Sequence, residues 1–205
     1  MKTIILATNN KHKKEKLAWI VGDFFDVVSD MPERVDVEEN GETFEENAQI
    51  KASAISKKFN EYSIATDGGA LIPSLGNSWN GLLTRRFLNK AEVTDWDRIE
   101  GLLGLLEGKT GDDRKVVWRE SIAISDPEGN IIFSAEVEGD TGLIQTSYDK
   151  EQYREGIWLC TLTSYPQFDG KNFFELNEEE TKEGEISWWK LKELAEDFFE
   201  NKKAY

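Results

Sequence analysis

The apolar residues of the chain recur with the period of a strand in some segments and of a helix in others. The short apolar run at residues 3–7 predicts a buried strand, and residues 10–21 carry apolar residues at helical spacing. Either Asn9 or Asn10 is expected to cap this helix, because a short side-chain oxygen can accept the free amides of the first turn. Residues 25–29 predict a second strand.

The next segments predict a long helix followed by a short strand. Thr43 is a typical helix N-cap, and Glu46 follows it by three residues, as in a capping box. The helix that they begin has the sequence TFEENAQIKASAISKKF. Residues 63–72, SIATDGGALI, predict a short strand that runs into a turn at Gly68 and Gly69.

The second half of the chain predicts a helix, a hairpin and a final helix. The first of these helices covers residues 95–106. The turn DPEG joins two predicted strands, at residues 115–125 and 130–138. After an acidic linker at residues 177–185, a last helix runs over residues 184–202. This order of elements predicts a mixed α/β protein.

The composition is that of a folded protein, and the length suits a single domain over residues 1–205, or one domain with two lobes. Hydrophobic residues make up 39% of the chain and charged residues 32%, an ordinary balance for a globular protein. The formal net charge is -15, from 40 acidic and 25 basic residues. A surface that binds nucleic acid needs the opposite sign, so we expect no nucleic-acid partner.

The scarcity of cysteine and histidine limits the kinds of metal and disulfide sites that the chain can form, and the N-terminal segment bears on its location in the cell. Cys160 is the single cysteine and His12 the single histidine, which argues against a disulfide framework, a cysteine zinc site and a histidine-rich metal cluster. A charged helix follows the N-terminal apolar run at once, unlike a signal peptide. No apolar run approaches the roughly 20 residues that span a bilayer, so we expect a cytoplasmic protein without a membrane partner.

The first segment with candidate chemistry is LATNNKHKKEKL, where the first strand meets its helix. Backbone amides at the start of a helix favour phosphate. Thr8 and Asn10 can hydrogen-bond phosphate oxygens, and Lys13 adds positive charge beside Lys11 and Lys14. Taken alone, a lysine-rich first turn is more typical of a solvated helix face.

The second segment, VEENGETFEEN, is crowded with carboxylates and lies before the long helix. Carboxylates without a nearby histidine or cysteine suit a hard ion such as Mg²⁺. Acids at a helix start are also typical of a plain surface loop. Lys51 lies one turn beyond Asn47 and can face the same site. The carboxylates in question are Glu38, Glu39, Glu42, Glu45 and Glu46.

The third segment is ATDGGALI, in which Asp67 precedes two glycines. An acid at the end of a buried strand is held rigidly, while the glycines leave the backbone open to a ligand. Asp67 could therefore hold a metal ion or deprotonate a water molecule. An ordinary turn aspartate is the alternative interpretation.

Taken together, the three segments resemble the inosine triphosphate pyrophosphatase family, which removes non-standard purine nucleoside triphosphates. The family pattern T-F-x-E-N-A-x-x-K-A is matched completely, and T-G-N-x-x-K and A-D-D-S-G-L are matched in part. The residues that match these patterns are Thr8, Asn10, Lys13, Thr43, Phe44, Glu46, Asn47, Ala48, Lys51, Ala52, Ala65, Asp67 and Gly69. Further agreement, spread over most of the chain, is found at Leu75, Gly76, Gly81, Arg86, Arg114, Gly129 and Lys171.

The resemblance implies a fold, an assembly and a reaction. The fold is α/β with two lobes, a long central mixed sheet flanked by helices, and a nucleotide cleft between the lobes. The expected assembly is a homodimer. The expected reaction is cleavage of the α–β phosphoanhydride of a nucleoside triphosphate with Mg²⁺, for which Mn²⁺ can substitute.

Site residues are carried over from the family by position. Asp67 would activate water or hold the metal, and Lys51 would neutralise phosphate charge. Glu38 would bind the metal, with Glu39 as the competing candidate. The residues expected to contact the substrate are Thr8, Asn9, Asn10, Lys13, Gly68, Arg86, Trp158, Lys171, Ser187, Trp188 and Trp189.

Departures from the family patterns are concentrated where the base would bind. The F-G-Y-D segment begins at Trp158 but ends on Thr161, and the Ser-His-Arg segment becomes Ser187, Trp188 and Trp189. Tryptophan offers one donor and no acceptor, so the loss of charged readers predicts an altered or relaxed base preference. Alternatively, both tryptophans pack the final helix onto the core.

Two more departures lie beside the candidate catalytic acid. Thr66 replaces an acid of the A-D-D-S-G-L pattern and Gly68 replaces its serine, so the aspartate pair is reduced to Asp67. The leading hypothesis is a nucleoside triphosphate pyrophosphatase. The alternatives are a related phosphohydrolase that acts on another phosphorylated metabolite, and a catalytically weak nucleotide-binding protein.

Overall fold

Seven strands form one mixed sheet in the computed structural model, which describes residues 1–84, 87–88, 92–155 and 157–203. The sheet order is β2-β1-β3-β4-β5-β6-β7. β1 pairs in parallel with β2 and β3, whereas β6 is antiparallel to β5 and β7. The strands are β1 Lys2–Leu6, β2 Phe25–Val28, β3 Tyr62–Leu71, β4 Lys115–Ser125, β5 Ile131–Ile144, β6 Thr163–Tyr165 and β7 Lys171–Asn172.

Helices accompany the sheet, so the expected α/β class is confirmed. The α-helices are α1 Lys11–Val21, α2 Phe44–Phe59, α3 Asp95–Leu105, α4 Glu178–Gly184 and α5 Ile186–Lys203. None of the helices in the described part of the chain combines the length and the hydropathy that a membrane span requires.

The chain divides into two compact units. The first unit comprises residues 1–68, 119–138 and 187–205, and the second comprises residues 69–118 and 139–186. The boundaries fall inside β3, β4 and β5, so each of these strands contributes residues to both units.

The first unit has two apolar cores, which use alternate residues of its strands. Ile64 of β3 belongs to a core with Leu17 of α1 and Leu191 of α5. Its neighbour Ala65 belongs to a core with Ala48 of α2. Successive side chains of a strand point to opposite sides, and this alternation explains why neighbouring residues serve different cores.

The second unit is built around α3 and a buried arginine. Ile99 and Leu102 of α3 are fully buried. Arg114 is also buried, and its guanidinium donates to the carbonyl oxygens of Ile144, Leu106 and Gln145 at 2.6, 2.8 and 2.7 Å. Burial lowers the pKa of this guanidinium from its usual value. Arg114 therefore joins carbonyls at the end of β5 to a carbonyl at the end of α3 within this unit.

The structure differs from the sequence prediction in one linker, one strand end and two short strands. The segment at residues 177–185 is not a linker, because Asn177 caps α4 by accepting hydrogen bonds from the amides of Glu179 and Glu180 at 3.0 and 2.9 Å. β5 continues to Ile144, six residues beyond the predicted end of the hairpin. The short strands β6 and β7 lack the length for a visible alternation and were not predicted.

Candidate functional site

Helix α2 begins with half of the expected capping box. The hydroxyl of Thr43 accepts a hydrogen bond from the amide of Glu46 at 3.0 Å. The carboxylate of Glu46 returns to the amide of Glu42 at 2.6 Å, one residue before the cap. This capping fixes the start of α2, while Ala48 and Ala52 are fully buried against the strands. Small alanines let the helix approach the sheet closely.

Two α2 side chains converge on the carboxylate of Asp67. Lys51 Nζ lies 3.1 Å from Asp67 Oδ1, and Asn47 Nδ2 donates to Asp67 Oδ2 at 3.3 Å. Asn47 and Lys51 are four residues apart and therefore lie on one face of the helix. The side-chain oxygen Oδ1 of Asn47 also accepts from the amide of Gly41 at 2.9 Å, so the same side chain anchors the preceding loop.

Asp67 lies within a continuous strand, so the predicted turn at Gly68 and Gly69 is wrong. β3 runs from Tyr62 to Leu71 without interruption. A Cβ built on Gly68 would lie 2.1 Å from Glu120 Oε2 and 2.7 Å from the Arg119 carbonyl oxygen. Glycine is required here by a close approach of β4 and not by a turn.

Glu120 of β4 is a site residue that the sequence prediction missed. Its Oε2 lies 4.0 Å from Lys13 Nζ and accepts from the hydroxyl of Thr66 at 3.5 Å. The pKa of Glu120 is raised to about 7; burial is the largest cause and the charge of Asp67 acts in the same direction, while the charge of Lys13 lowers the pKa. Two carboxylates and two lysines thus lie close together in the first unit.

A sequence signal for Glu120 was available. Glu120 precedes Ile122 and Ile124 at two-residue steps, and both isoleucines are fully buried in a core of the first unit. A charged residue in register with the apolar positions of a strand is unusual. Such a residue is a candidate for a functional role.

The loop after β1 keeps its predicted geometry. Asn10 is the cap of α1, and its side-chain oxygen accepts from the amide of Lys13 at 3.1 Å. The hydroxyl of Thr8 accepts from the amide of Asn10 at 3.2 Å, while Asn9 is exposed. The Lys13 side chain points back to Glu120.

The acidic loop contributes Glu39 to this group of charges. Glu39 Oε2 lies 3.6 Å from Lys51 Nζ, and both Glu38 and Glu39 are exposed. Within the described residues, no three acids, histidines or cysteines are already arranged around a metal position. Mg²⁺ needs only one or two carboxylates when substrate phosphates and water complete its shell. The carboxylates of Asp67 and Glu39 offer oxygen ligands and fit that requirement.

Several residues that were predicted to contact the substrate lie in the second unit or outside the described residues. Trp158 is buried in the second unit with its ring stacked on Phe87, at a centroid distance of 6.2 Å. Lys171 pairs with Glu180, with 2.5 Å between Nζ and Oε1. Arg86 lies outside the described residues.

The structure separates the two tryptophans of the final helix. Trp188 is 5% exposed and belongs to the core formed with Leu17 and Leu191, so its burial favours the packing alternative over base contact. Trp189 is 39% exposed and meets the ring of Trp19 edge-on at 4.6 Å between centroids. Ser187 before them is buried.

Comparison with known proteins decides the family. The model of the Ham1 family matches residues 4–187, which is most of the chain. This chain is a member of the Ham1 family. The resemblance predicted from the three sequence segments is therefore confirmed.

Ham1 structures and curated relatives agree with this assignment. A HAM1 protein from Coxiella burnetii superposes with a TM-score of 0.75 at 25% identity, over 98% of this chain and 100% of its own. The Ham1 protein from Staphylococcus aureus gives 0.76 at 27%, with the same coverage. A Prochlorococcus marinus protein named dITP/XTP pyrophosphatase is 33% identical over 144 residues, which is 70% of this chain and 68% of its own. One of that name from Oceanobacillus iheyensis is 37% identical over 131 residues, 62% and 66% of the two chains.

The close approach at Gly68 gives a prediction for this Ham1 chain. Gly68→Ala is expected to lower the free energy of unfolding by about 1–3 kcal/mol, because a Cβ at this place requires the backbone of β4 to move. Gly104→Ala in α3 is the control, since its Cβ would meet nothing within 4 Å and alanine favours a helix. Urea unfolding of both variants tests this, and equal stabilities would contradict the packing at Gly68.

Proposed function

We propose that this Ham1 chain hydrolyses a nucleoside triphosphate to the monophosphate and pyrophosphate. Its class, a nucleoside triphosphate pyrophosphatase that acts on an acid anhydride, follows from family membership. The observation that carries the proposal is the carboxylate of Asp67, which Lys51 and Asn47 hold from the completely matched motif. The relatives named dITP/XTP pyrophosphatase support the same reaction.

The chain's own residues divide into phosphate-binding and water-activating groups. Lys13, Thr8 and Asn10 surround the start of α1, where backbone amides and a lysine favour a polyphosphate. Lys51 neutralises phosphate charge beside Asp67. Asp67 would orient the attacking water and take its proton, or would hold a metal ion that makes this water more acidic.

The proposed reaction uses a divalent ion, with Asp67 and a glutamate of the acidic segment before α2 as its protein ligands. Glu38 is the glutamate expected from the family. Glu39 is the alternative, because its carboxylate lies 3.6 Å from Lys51 Nζ. When bound, Mg²⁺ supplies positive charge to the phosphates and lowers the pKa of a bound water. The expected form of the enzyme is a cytoplasmic homodimer.

Metal dependence gives a direct prediction. Turnover is expected to vanish in excess chelator and to return with Mg²⁺ or Mn²⁺, but to a smaller extent with Ca²⁺. The proposed ligands are carboxylate oxygens, and aligned phosphates favour a small octahedral ion over the larger, more flexible shell of Ca²⁺. A titration of each ion into the chelator-treated protein measures this. Full turnover in chelator would exclude the metal.

Base preference is the second prediction of the proposal. The value of kcat/KM for inosine triphosphate is expected to exceed those for ATP and GTP by less than about 100-fold. Strong discrimination needs buried polar groups that stay unpaired with the wrong base, and Trp188 and Trp189 replace the charged pair of the family. A larger preference for inosine would mean that other residues read the 6-keto edge.

One panel separates the proposal from its alternatives. Inosine, xanthosine, adenosine, guanosine and pyrimidine triphosphates are incubated with Mg²⁺, and pyrophosphate and orthophosphate are assayed separately. Pyrophosphate release supports the proposal, and orthophosphate alone supports a related phosphohydrolase. Triphosphate binding without either product supports a catalytically weak nucleotide-binding protein.

A further inference from the structure

The carboxylate of Glu120 occupies space that a side chain at position 68 would fill. Oε2 of Glu120 is 2.1 Å from the place of a Cβ on Gly68. The hydroxyl of Thr66 lies 3.5 Å from the same oxygen. Positions 66 and 68 are therefore the two β3 residues that adjoin this carboxylate.

These residues share one side of the neighbouring strands β3 and β4. Ile64 and Ile122 belong to the same core, and side chains two residues apart along a strand point to the same side. Thr66 and Gly68 follow Ile64 at two-residue steps, and Glu120 precedes Ile122 by one such step. Lys13 reaches this side, with its Nζ 4.0 Å from Glu120 Oε2.

The two departures from the A-D-D-S-G-L pattern lie at the same two positions. The pattern has an acid where this chain has Thr66, and a serine where it has Gly68. An acid at 66 would place a second carboxylate against Glu120, and a serine at 68 would collide with it. Thr66 and Gly68 therefore both make room for the carboxylate of Glu120. The changes at positions 66, 68 and 120 are best explained together, as the transfer of a carboxylate from position 66 to position 120.

We propose that Glu120 replaces the acid of position 66 and binds the divalent ion that accompanies the triphosphate. This inference rests on the proposed function and adds a residue to its site. Moving a carboxylate from β3 to β4 keeps its charge beside Lys13, where the phosphates are expected. One further carboxylate is compatible with Mg²⁺, which takes its remaining ligands from phosphate and water.

A rescue experiment tests this transfer of a carboxylate. The variants are Glu120→Gln, the double variant Glu120→Gln/Thr66→Asp, and the uncharged control Glu120→Gln/Thr66→Asn. Free Mn²⁺ is measured by electron paramagnetic resonance, first with Mn²⁺ alone and then with the non-hydrolysable α,β-methylene analogue of ATP. The kcat/KM for pyrophosphate release is measured in parallel with Mg²⁺.

The expected pattern is a loss that only a carboxylate at 66 repairs. Glu120→Gln weakens Mn²⁺ binding and lowers kcat/KM, each by about tenfold or more. The double variant with Thr66→Asp recovers most of the Mn²⁺ affinity and of the kcat/KM, and the double variant with Thr66→Asn recovers neither. Mn²⁺ affinity within twofold of wild type in Glu120→Gln would overturn the inference, and so would equal recovery by the two partners.

Two further measurements keep the outcome decisive. Thermal unfolding shows whether Glu120→Gln folds. If it does not, the two double variants are compared with each other: tighter Mn²⁺ binding with Asp than with Asn at position 66 is expected, and equal affinity would count against the proposal. Wild-type pyrophosphate release is assayed first. Its absence defeats the proposed function, whereas an active wild type with an unaffected Glu120→Gln defeats only the role of Glu120.

Discussion

Asp67→Asn is expected to lower kcat/KM for nucleoside triphosphates by about 100-fold or more while the protein remains folded. Both oxygens of this carboxylate are held, one by Lys51 at 3.1 Å and the other by Asn47 at 3.3 Å. The amide of asparagine is close in shape, but it carries no charge for a metal and cannot take a proton from water.

Steady-state kinetics with Mg²⁺ and circular dichroism of the purified variant measure this effect. The matched control is Asp36→Asn, because Asp36 is an exposed acid that pairs with Arg34 in the loop before α2. We expect near-wild-type turnover for the control. An Asp67→Asn variant with turnover within a fewfold of wild type would remove Asp67 from the mechanism.

Lys51→Met is expected to lower kcat/KM on the order of 10- to 100-fold. Lys51 is largely buried and lies 3.1 Å from Asp67 and 3.6 Å from Glu39, so its loss leaves two carboxylates without their shared cation. It also removes a positive charge where phosphate charge must be neutralised. Methionine keeps the length and the apolar stem of the side chain.

Lys58→Met on the same helix serves as the control for Lys51. Lys58 pairs with Glu33 at 2.8 Å, and both side chains are about half exposed. Exposed pairs contribute little to stability, and this one contacts no proposed site residue, so we expect unchanged kinetics. If the two lysine variants lost equal activity, the helix as a whole and not the Lys51 ammonium would be responsible.

The sequence predicted the part of the site that depends on local spacing. Asn47 and Lys51 are one helical turn apart, and this interval alone places both side chains on one face of α2. Asn10 was a correct candidate for the cap of α1 for the same local reason. The α/β class followed from the alternation of periods along the chain.

Features that depend on contacts between distant segments could not be predicted in the same way. Gly68 and Gly69 suggested a turn, because a glycine demanded by a neighbouring strand has the same local signature as a turn glycine. The contact between Gly68 and Glu120 joins positions 52 residues apart. Likewise, only the packing of α5 shows that Trp188 is buried and Trp189 is partly exposed.

The proposed reaction breaks the anhydride bond between the α and β phosphates. ³¹P nuclear magnetic resonance of the reaction mixture identifies the phosphorus-containing products directly. Inosine triphosphate is followed with the wild-type protein and Mg²⁺, with Asp67→Asn as the blank. We expect inosine monophosphate and pyrophosphate in equal amounts and no diphosphate intermediate. Inosine diphosphate with orthophosphate as the first products would contradict it.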